Sequence, residues 1–236
     1  MNLCIIQARL GSSRFKNKIF QEINGKKIIE IIYKRVCKSK KIDKVVIATT
    51  NKKIDDKLAG FLKKKKIIFF RGSEKNVLDR YYKASLKFRS CNIIRITSDC
   101  PLISHDFIDE HINIFQKKKL DVISSYLLKT FPVGISLSIC KFEILEAAWK
   151  KAKSNHDKEH VMPFVYKMKK IKILKTKNNF FSSKNKPRLT IDYPEDLITI
   201  KNVFNYFYPK LYFSWKDIMK LYNKDKKLFL SNEHIR

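Results

Sequence analysis

The amino-acid sequence predicts an α/β fold: one domain over residues 1–236, its mainly parallel, mixed sheet sandwiched by helices. Three observations lead there. Short apolar runs of β type alternate with amphipathic helical patterns along most of the chain. No stretch rich in Pro, Gly and Ser is long enough to separate two domains, and no segment repeats. Hydrophobic residues make up 44% of the 236 and aromatics 12%, enough for a core of ordinary size.

The elements follow in order. "LCII" (3–6) is the first strand, and the apolar face Ile28, Ile29, Ile31, Ile32 and Val36 marks a helix over 27–39. "KVVIATT" (44–50) is a strand, 54–65 a helix, "KIIFF" (66–70) a strand and 76–88 a helix with the apolar pattern Val77, Leu78, Tyr81, Tyr82 and Leu86. "NIIRIT" (92–97) is the fourth strand, followed by a helix over 106–118 that Ser104 is expected to cap. "DVISSY" (121–126) reads as a strand, and the alternating "VGISLSIC" (133–140) as one that departs from simple βαβ order. Helices are expected over 141–153 and 158–168, then strand-like "IKIL" (171–174), a Lys/Asn/Ser-rich loop (175–186), the strand "RLTI" (188–191) and a helix opened by Pro194, Glu195 and Asp196. The last 25 or so residues read as a packed helix ("SWKDIMKLY") and a frayed tail. A β/α excursion at about 126–186 is inserted in the one domain.

Composition excludes several classes. No apolar run approaches the ~18 residues that cross a bilayer, and the N-terminal run is too short for a secretory signal, so a cytoplasmic protein is expected. Five scattered cysteines without a C-x-x-C pair suggest neither a disulfide framework nor zinc; buried free thiols are expected. Net charge is +30 from 52 basic and 22 acidic residues, yet only nine of the basic ones are Arg. Lysines dispersed among Ile, Asn and Phe look like A/T-rich codon usage, whereas nucleic-acid readers favour Arg gathered in patches. A polyanion-binding surface remains the alternative.

The chemistry concentrates after the first strand, in "QARLGSSRFKNK" (7–18). Gly11, Ser12 and Ser13 let backbone N–H groups approach an anion, and Arg9, Arg14 and Lys18 bring three cations. A nucleoside triphosphate, with about four negative charges, suits such a loop; a plain polar loop of a lysine-rich chain is the other reading. Neither a Walker A nor a G-x-G-x-x-G motif is present. Asp99, just past the fourth strand, is a candidate Mg²⁺ ligand or a turn aspartate. Arg95 within that strand either pairs internally or faces a ligand. Glu195 and Asp196 suit the first turn of a helix, but Asp192 has no such explanation and is the second candidate metal ligand.

Together, "IIQARLGSSR…K", "ATTN", "FRGSEKNVLDRYYKA", "RITSDCPLI", "TFPVG", "EHVMPF" and "RLTIDYPEDL" resemble, in order and spacing, the cytidylyltransferases typified by spore coat polysaccharide biosynthesis protein F. That family is related to the acylneuraminate and 3-deoxy-manno-octulosonate cytidylyltransferases. The resemblance covers about residues 3–205. It implies a nucleotide-diphospho-sugar-transferase-like (Rossmann-like) fold and the reaction of CTP with a sugar acid to give CMP-sugar and pyrophosphate, with Mg²⁺ as cofactor and an expected homodimer. It matches Ala8, Arg9, Gly11, Ser12, Arg14 and Lys18 to the triphosphate loop. Arg71, Gly72, Asp79 and Arg80 match the block near cytosine and ribose, Asp99 and Asp192 the metal-binding carboxylates, and Glu159 and His160 the acceptor side. On that reading Arg14, Lys18 and Asp99 are catalytic.

Two departures qualify the resemblance. Lys16 and Asn17 replace the family's Pro-Gly, which is expected to loosen the loop. Ser136 and Ser138 stand where an F-P-x-G-x-D-x-E pattern carries acids, so the acceptor differs or turnover is lost. The rivals are a glycosyltransferase of the same fold, which usually wants a D-x-D motif that Asp99-Cys100-Pro101 does not supply, and a non-catalytic nucleotide- or polyanion-binding relative.

Overall fold

The computed structural model describes residues 1–181 and 186–235. In chain order it contains β1 (Asn2–Gln7), β2 (Glu22–Ile23), β3 (Lys26–Lys27), α1 (Ile28–Cys37), β4 (Lys44–Thr50), α2 (Asp56–Lys64), β5 (Phe69–Gly72), α3 (Val77–Lys87), β6 (Asn92–Thr97) and α4 (His105–Lys117). The second half adds β7 (Val122–Ser124), β8 (Ser138–Lys141), α5 (Phe142–Lys151), α6 (Asn155–His160), α7 (Met162–Lys167), β9 (Ile173–Lys175), α8 (Pro194–Phe207) and α9 (Trp215–Lys224).

Seven strands form one sheet in the order β5-β4-β1-β6-β8-β7-β9. The β5-β4-β1-β6 half is parallel, β8 runs antiparallel to both β6 and β7, and β9 is parallel to β7. This is the expected mixed, mainly parallel sheet. Strand residues alternate between its faces: Cys4, Ile6, Ile47, Ile94 and Ile96 pack with α1, α4, α8 and α9. Leu3, Ile5, Val46, Ala48 and Ile93 pack with α3, α5 and α7 on the other face. The excursion at 126–186 builds into this sheet, since β8 and β9 lie within it. No helix among the described residues is long and apolar enough to cross a membrane.

Several elements differ from expectation, each for a local reason. Asn24 and Gly25 adopt φ 48° and 72° and close a two-residue hairpin between β2 and β3, ahead of α1. The strand read at 66–70 starts at Phe69, because Lys66 (φ 56°) ends α2 and Ile67 donates back to the Leu62 carbonyl. Ser104 stands at the N-cap position of α4 but its hydroxyl makes no capping bond. The helix expected over 158–168 is two helices. Ser154 accepts from Asp157 N at 3.1 Å and starts α6 early, while Pro163 in the first turn of α7 forbids a continuous helix through Val161.

The strand expected over 133–140 shrinks to β8, and "RLTI" is extended chain with one isolated bridge, Val133 to Arg188. Gly134 explains both. At φ 98° it lies so close to the 188–191 segment that a Cβ would sit 2.2 Å from the Leu189 carbonyl oxygen. Where a frayed tail is expected, a 3-10 segment, Lys226–Asn232, buries Phe229 and Asn232 against the body. All five cysteines are free, but Cys37 and Cys91 are exposed.

Candidate active site

The carboxyl ends of β1 and β6 open on a cleft of about 760 Å³, as the sheet topology requires of a ligand site in a parallel α/β protein. Its walls are the loop after β1, the N-terminus of α3, the turn after β6, the helix α6 and Asp192. Six cationic side chains (Arg9, Arg14, Lys18, Lys75, Arg80, Lys158) meet four carboxylates (Glu74, Asp99, Glu159, Asp192) there, a net positive surface suited to a polyphosphate.

The β1 loop is held from below. Buried Leu10 donates its N–H to Asp55 Oδ1 at 2.7 Å, and Ser12 and Asn17 both donate to the Leu10 carbonyl. Asn17 adopts φ 55°, the left-handed conformation that glycine supplies and asparagine tolerates best after it. The Lys16-Asn17 replacement therefore keeps the turn closed and delivers Lys18 inward. Lys18, 12% exposed, donates to the Ile191 carbonyl at 2.6 Å and to Asp192 Oδ1 at 3.0 Å, and its ammonium lies 3.9 Å from Asp99 Oδ2. Arg14 reaches the same Asp192 oxygen at 2.9 Å while its guanidinium covers the Tyr193 ring. The loop after β1 and the segment after Ile191 thus meet through one carboxylate.

Asp192 is oriented from behind as well. Arg188 donates to Asp192 Oδ2 at 3.0 Å and to Asp196 Oδ1 at 2.9 Å. Asp196 is fully buried and accepts from the backbone N–H groups of Asp192 and Tyr193. Burial by itself would raise the Asp196 carboxyl, but the bonds from Arg188 and Asn232 and from the backbone hold it below the ordinary carboxylate range. Asn232 closes the chain, donating to Asp196 Oδ1 at 2.7 Å and to the Arg188 carbonyl at 3.1 Å, and accepting from Thr199 at 2.9 Å. Asn232→Ala leaves buried partners unpaired and is expected to cost about 2 kcal/mol of stability, read as a fall in Tm. An unchanged Tm would show that the tail bears no load.

Of the residues expected at the site, Ala8, Arg9, Ser12, Arg14, Lys18, Arg80, Asp99, Glu159, His160 and Asp192 all line the cleft. Gly11, Arg71, Gly72 and Asp79 do not. Gly11 sits beside the wall, where an added Cβ would only touch Glu74 at 4.0 Å. Arg71 braces the ends of β4 and β5, donating to the Thr50 carbonyl at 2.9 Å and pairing with Asp56 at 2.6 Å. Asp79 accepts from Trp149 Nε1 at 3.0 Å and pairs with Lys83 at 2.9 Å. Gly72 acts indirectly: a Cβ there would lie 3.0 Å from Arg80 Cγ, so its absence lets Arg80 lie flat. Arg80 is 2% exposed, donates to the Ser73 carbonyl at 2.9 Å, and keeps a buried Nε without a partner. Burial lowers its pKa.

The sequence reading missed Gln7, Glu74, Thr97 and Lys158, among others. Gln7 and Thr97 are the last residues of β1 and β6, so the strand-end rule that found Asp99 covers them too. Nothing local marks Lys158, which α6 carries into the wall.

Asp99 is a sound place for a hard divalent cation. Oδ1 accepts from the Thr97 hydroxyl, Oδ2 lies beyond hydrogen-bond reach of Lys18, and the side chain is 30% exposed toward the cleft. Mg²⁺ needs few protein carboxylates, because phosphates and water complete its shell. Asp192 fits less directly: three cations already occupy both its oxygens. No cluster of three or more His, Cys, Asp or Glu exists among the described residues, so no all-protein metal cage is present.

Comparison with known proteins agrees with this geometry. A family model described as cytidylyltransferase matches residues 3–235. The uncharacterized protein MJ1063 of Methanocaldococcus jannaschii is 39% identical over 193 residues, 81% of this chain and 78% of that one. Spore coat polysaccharide biosynthesis protein SpsF of Bacillus subtilis is 31% identical over 210 residues, 86% of this chain and 85% of that one. The solved structure of a cytidylyltransferase from Leptospira borgpetersenii superposes with a TM-score of 0.90 at 29% identity, covering 97% of this chain and 96% of that one. A pattern match across nearly the whole chain, on the same fold, leaves one assignment: this chain belongs to the cytidylyltransferase family of nucleotidyltransferase enzymes.

Proposed function

We propose that this enzyme transfers CMP from CTP to a sugar acid, releasing pyrophosphate and yielding a CMP-sugar for surface polysaccharide or glycan synthesis. The observation that supports it most is the placement of Lys18 between Asp99 and Asp192, with Arg14 on the same Asp192 oxygen. An acceptor oxygen attacks the α-phosphorus in line while the bond to the β-phosphate bridge breaks. Positioning and charge neutralisation account for most of such a rate enhancement. The triphosphate competes with Asp192 for Arg14 and Lys18, which then hold the charge building on the departing pyrophosphate. Asp99, with Asp192 as a second carboxylate, would hold Mg²⁺, which supplies further charge neutralisation on the phosphate oxygens when bound. Glu159 and His160 are exposed on α6 and line the cleft, and on this reading they serve the acceptor.

Thermal unfolding with CTP, UTP, GTP or ATP, each with and without Mg²⁺ in moderate salt, tests this reading. A nucleotide at 100 times its Kd adds about 2.7 kcal/mol, which at this chain length is a shift of roughly 5–10 °C. A shift peculiar to CTP with Mg²⁺ is expected. Equal small shifts with every nucleotide would mean that the cleft only attracts polyanions.

A further inference from the structure

Behind the cleft, on the sheet face covered by α3 and α7, lies a polar group that the phosphate site leaves unused. Arg95 stands on β6 between Ile94 and Ile96, in register with Ile5 of β1 on one side and Ser138 of β8 on the other. Ser138 is in turn opposite Ser124 of β7. The Ser138 hydroxyl lies 2.6 Å from the Tyr166 hydroxyl of α7, and Ser124 lies 3.0 Å from the same phenol. Burial raises the Tyr166 phenol, and the bonds from both serines and the charge of Arg95 oppose the rise.

Among the described residues, the Arg95 side chain has no hydrogen-bonded partner to match. It is partly exposed, its Nε is buried and unpaired, and among the described residues its guanidinium makes no ion pair. Gln7 is the next residue on the same face toward the cleft mouth, because Gln7 pairs with Thr97 just as Ile5 pairs with Arg95. Gln7 lines the cleft, and its Oε1 is also buried and unpaired. A cationic fork and an amide acceptor therefore sit two residues apart along the strand direction, about 7 Å. Neither repays its burial with a protein contact, and an unpaired buried group is costly.

The ligand chemistry follows from the donors. A planar guanidinium fork matches a carboxylate, and the amide, serine and tyrosine groups match neighbouring hydroxyls. The position also separates it from the phosphates. Lys18 and Asp192 adjoin Ile19 and Ile191, which belong to the core of the opposite sheet face, whereas Arg95 belongs to the face over which α3, α5 and α7 lie.

We propose that Arg95, with Gln7 at its rim and Ser138 and Tyr166 behind it, forms the subsite that receives the acceptor's carboxylate. This rests on reading the acceptor as a sugar acid. Ser138 then sets specificity: as a neutral residue in register with Arg95, it leaves the guanidinium free for the substrate.

Calorimetry on the full chain, loaded with Mg²⁺ and the α,β-methylene analogue of CTP, tests it. The probes are an eight-carbon and a nine-carbon 3-deoxy-2-ulosonic acid, each as the free acid and as the methyl ester. At least one acid should bind about 30-fold more tightly than its ester. Arg95→Gln should abolish that preference with the affinity for the CTP analogue unchanged. Ser138→Glu places a carboxylate opposite Arg95 and should abolish acid binding with the affinity for the CTP analogue unchanged, a pairing of effects that simple damage to the sheet does not produce. If Arg95→Gln does not fold, Ser138→Glu decides alone. Equal binding of acid and ester, a retained preference in either folded variant, or no acid binding to the loaded wild-type protein overturns the subsite and leaves the nucleotide reading standing. Failure to bind the CTP analogue at all overturns both.

Discussion

Asp99→Asn is expected to lower pyrophosphate release by at least about 100-fold with no loss of fold. The substitution keeps the shape of the side chain and its contact with the Thr97 hydroxyl. It also keeps the two bonds by which the Asp99 carbonyl secures the neighbouring segment, from Ile191 N–H at 2.8 Å and from Thr190 Oγ1 at 3.1 Å. What it removes is the charge of the one cleft-floor carboxylate that keeps an oxygen open to a cation. Tm should therefore stay within about 1 °C, since a partly exposed polar exchange without lost contacts costs little. Full activity in this variant would take Asp99 out of the chemistry.

Lys18→Met should lower turnover about as far and raise the KM for CTP much less. Methionine keeps the length of the chain through a 12% exposed site and deletes only the ammonium. Asp192 retains Arg14 and Arg188, so the carboxylate is not left unpaired and the fold should persist. The charge that Lys18 meets grows as pyrophosphate leaves, and an interaction realised mainly in the transition state appears in kcat rather than in KM. An equal loss in kcat/KM arising entirely from KM would make Lys18 a ground-state phosphate anchor instead.

The distribution of what was legible follows from the range of each interaction. "NIIRIT" gave β6 to the residue, because a run of β-branched residues flanked by turns is its own signal. "VGISLSIC" misled, because its alternation continues through a bend that exists only where Gly134 touches Leu189, 55 residues away in the chain. Pro163 and the Ser154-to-Asp157 cap were readable locally as a helix break and start, and the periodicity hid them. Arg71 and Asp79 lay within a matching block, yet their partners Asp56 and Trp149 turn them to structural work that no block of sequence displays.

By itself, the sequence determined the α/β class, the cationic loop at the end of the first strand, the carboxylates Asp99 and Asp192, and the family resemblance. These depend on periodicity and residue chemistry within short windows. The tertiary structure alone decided that Lys18 reaches Asp192 across 174 residues, that Asn232 steadies the Arg188–Asp196 pair from the far terminus, and that Arg95 and Gln7 keep unpaired atoms. Whether a polar group is satisfied depends on every neighbour that folding brings to it, and the order of residues along the chain does not contain that list.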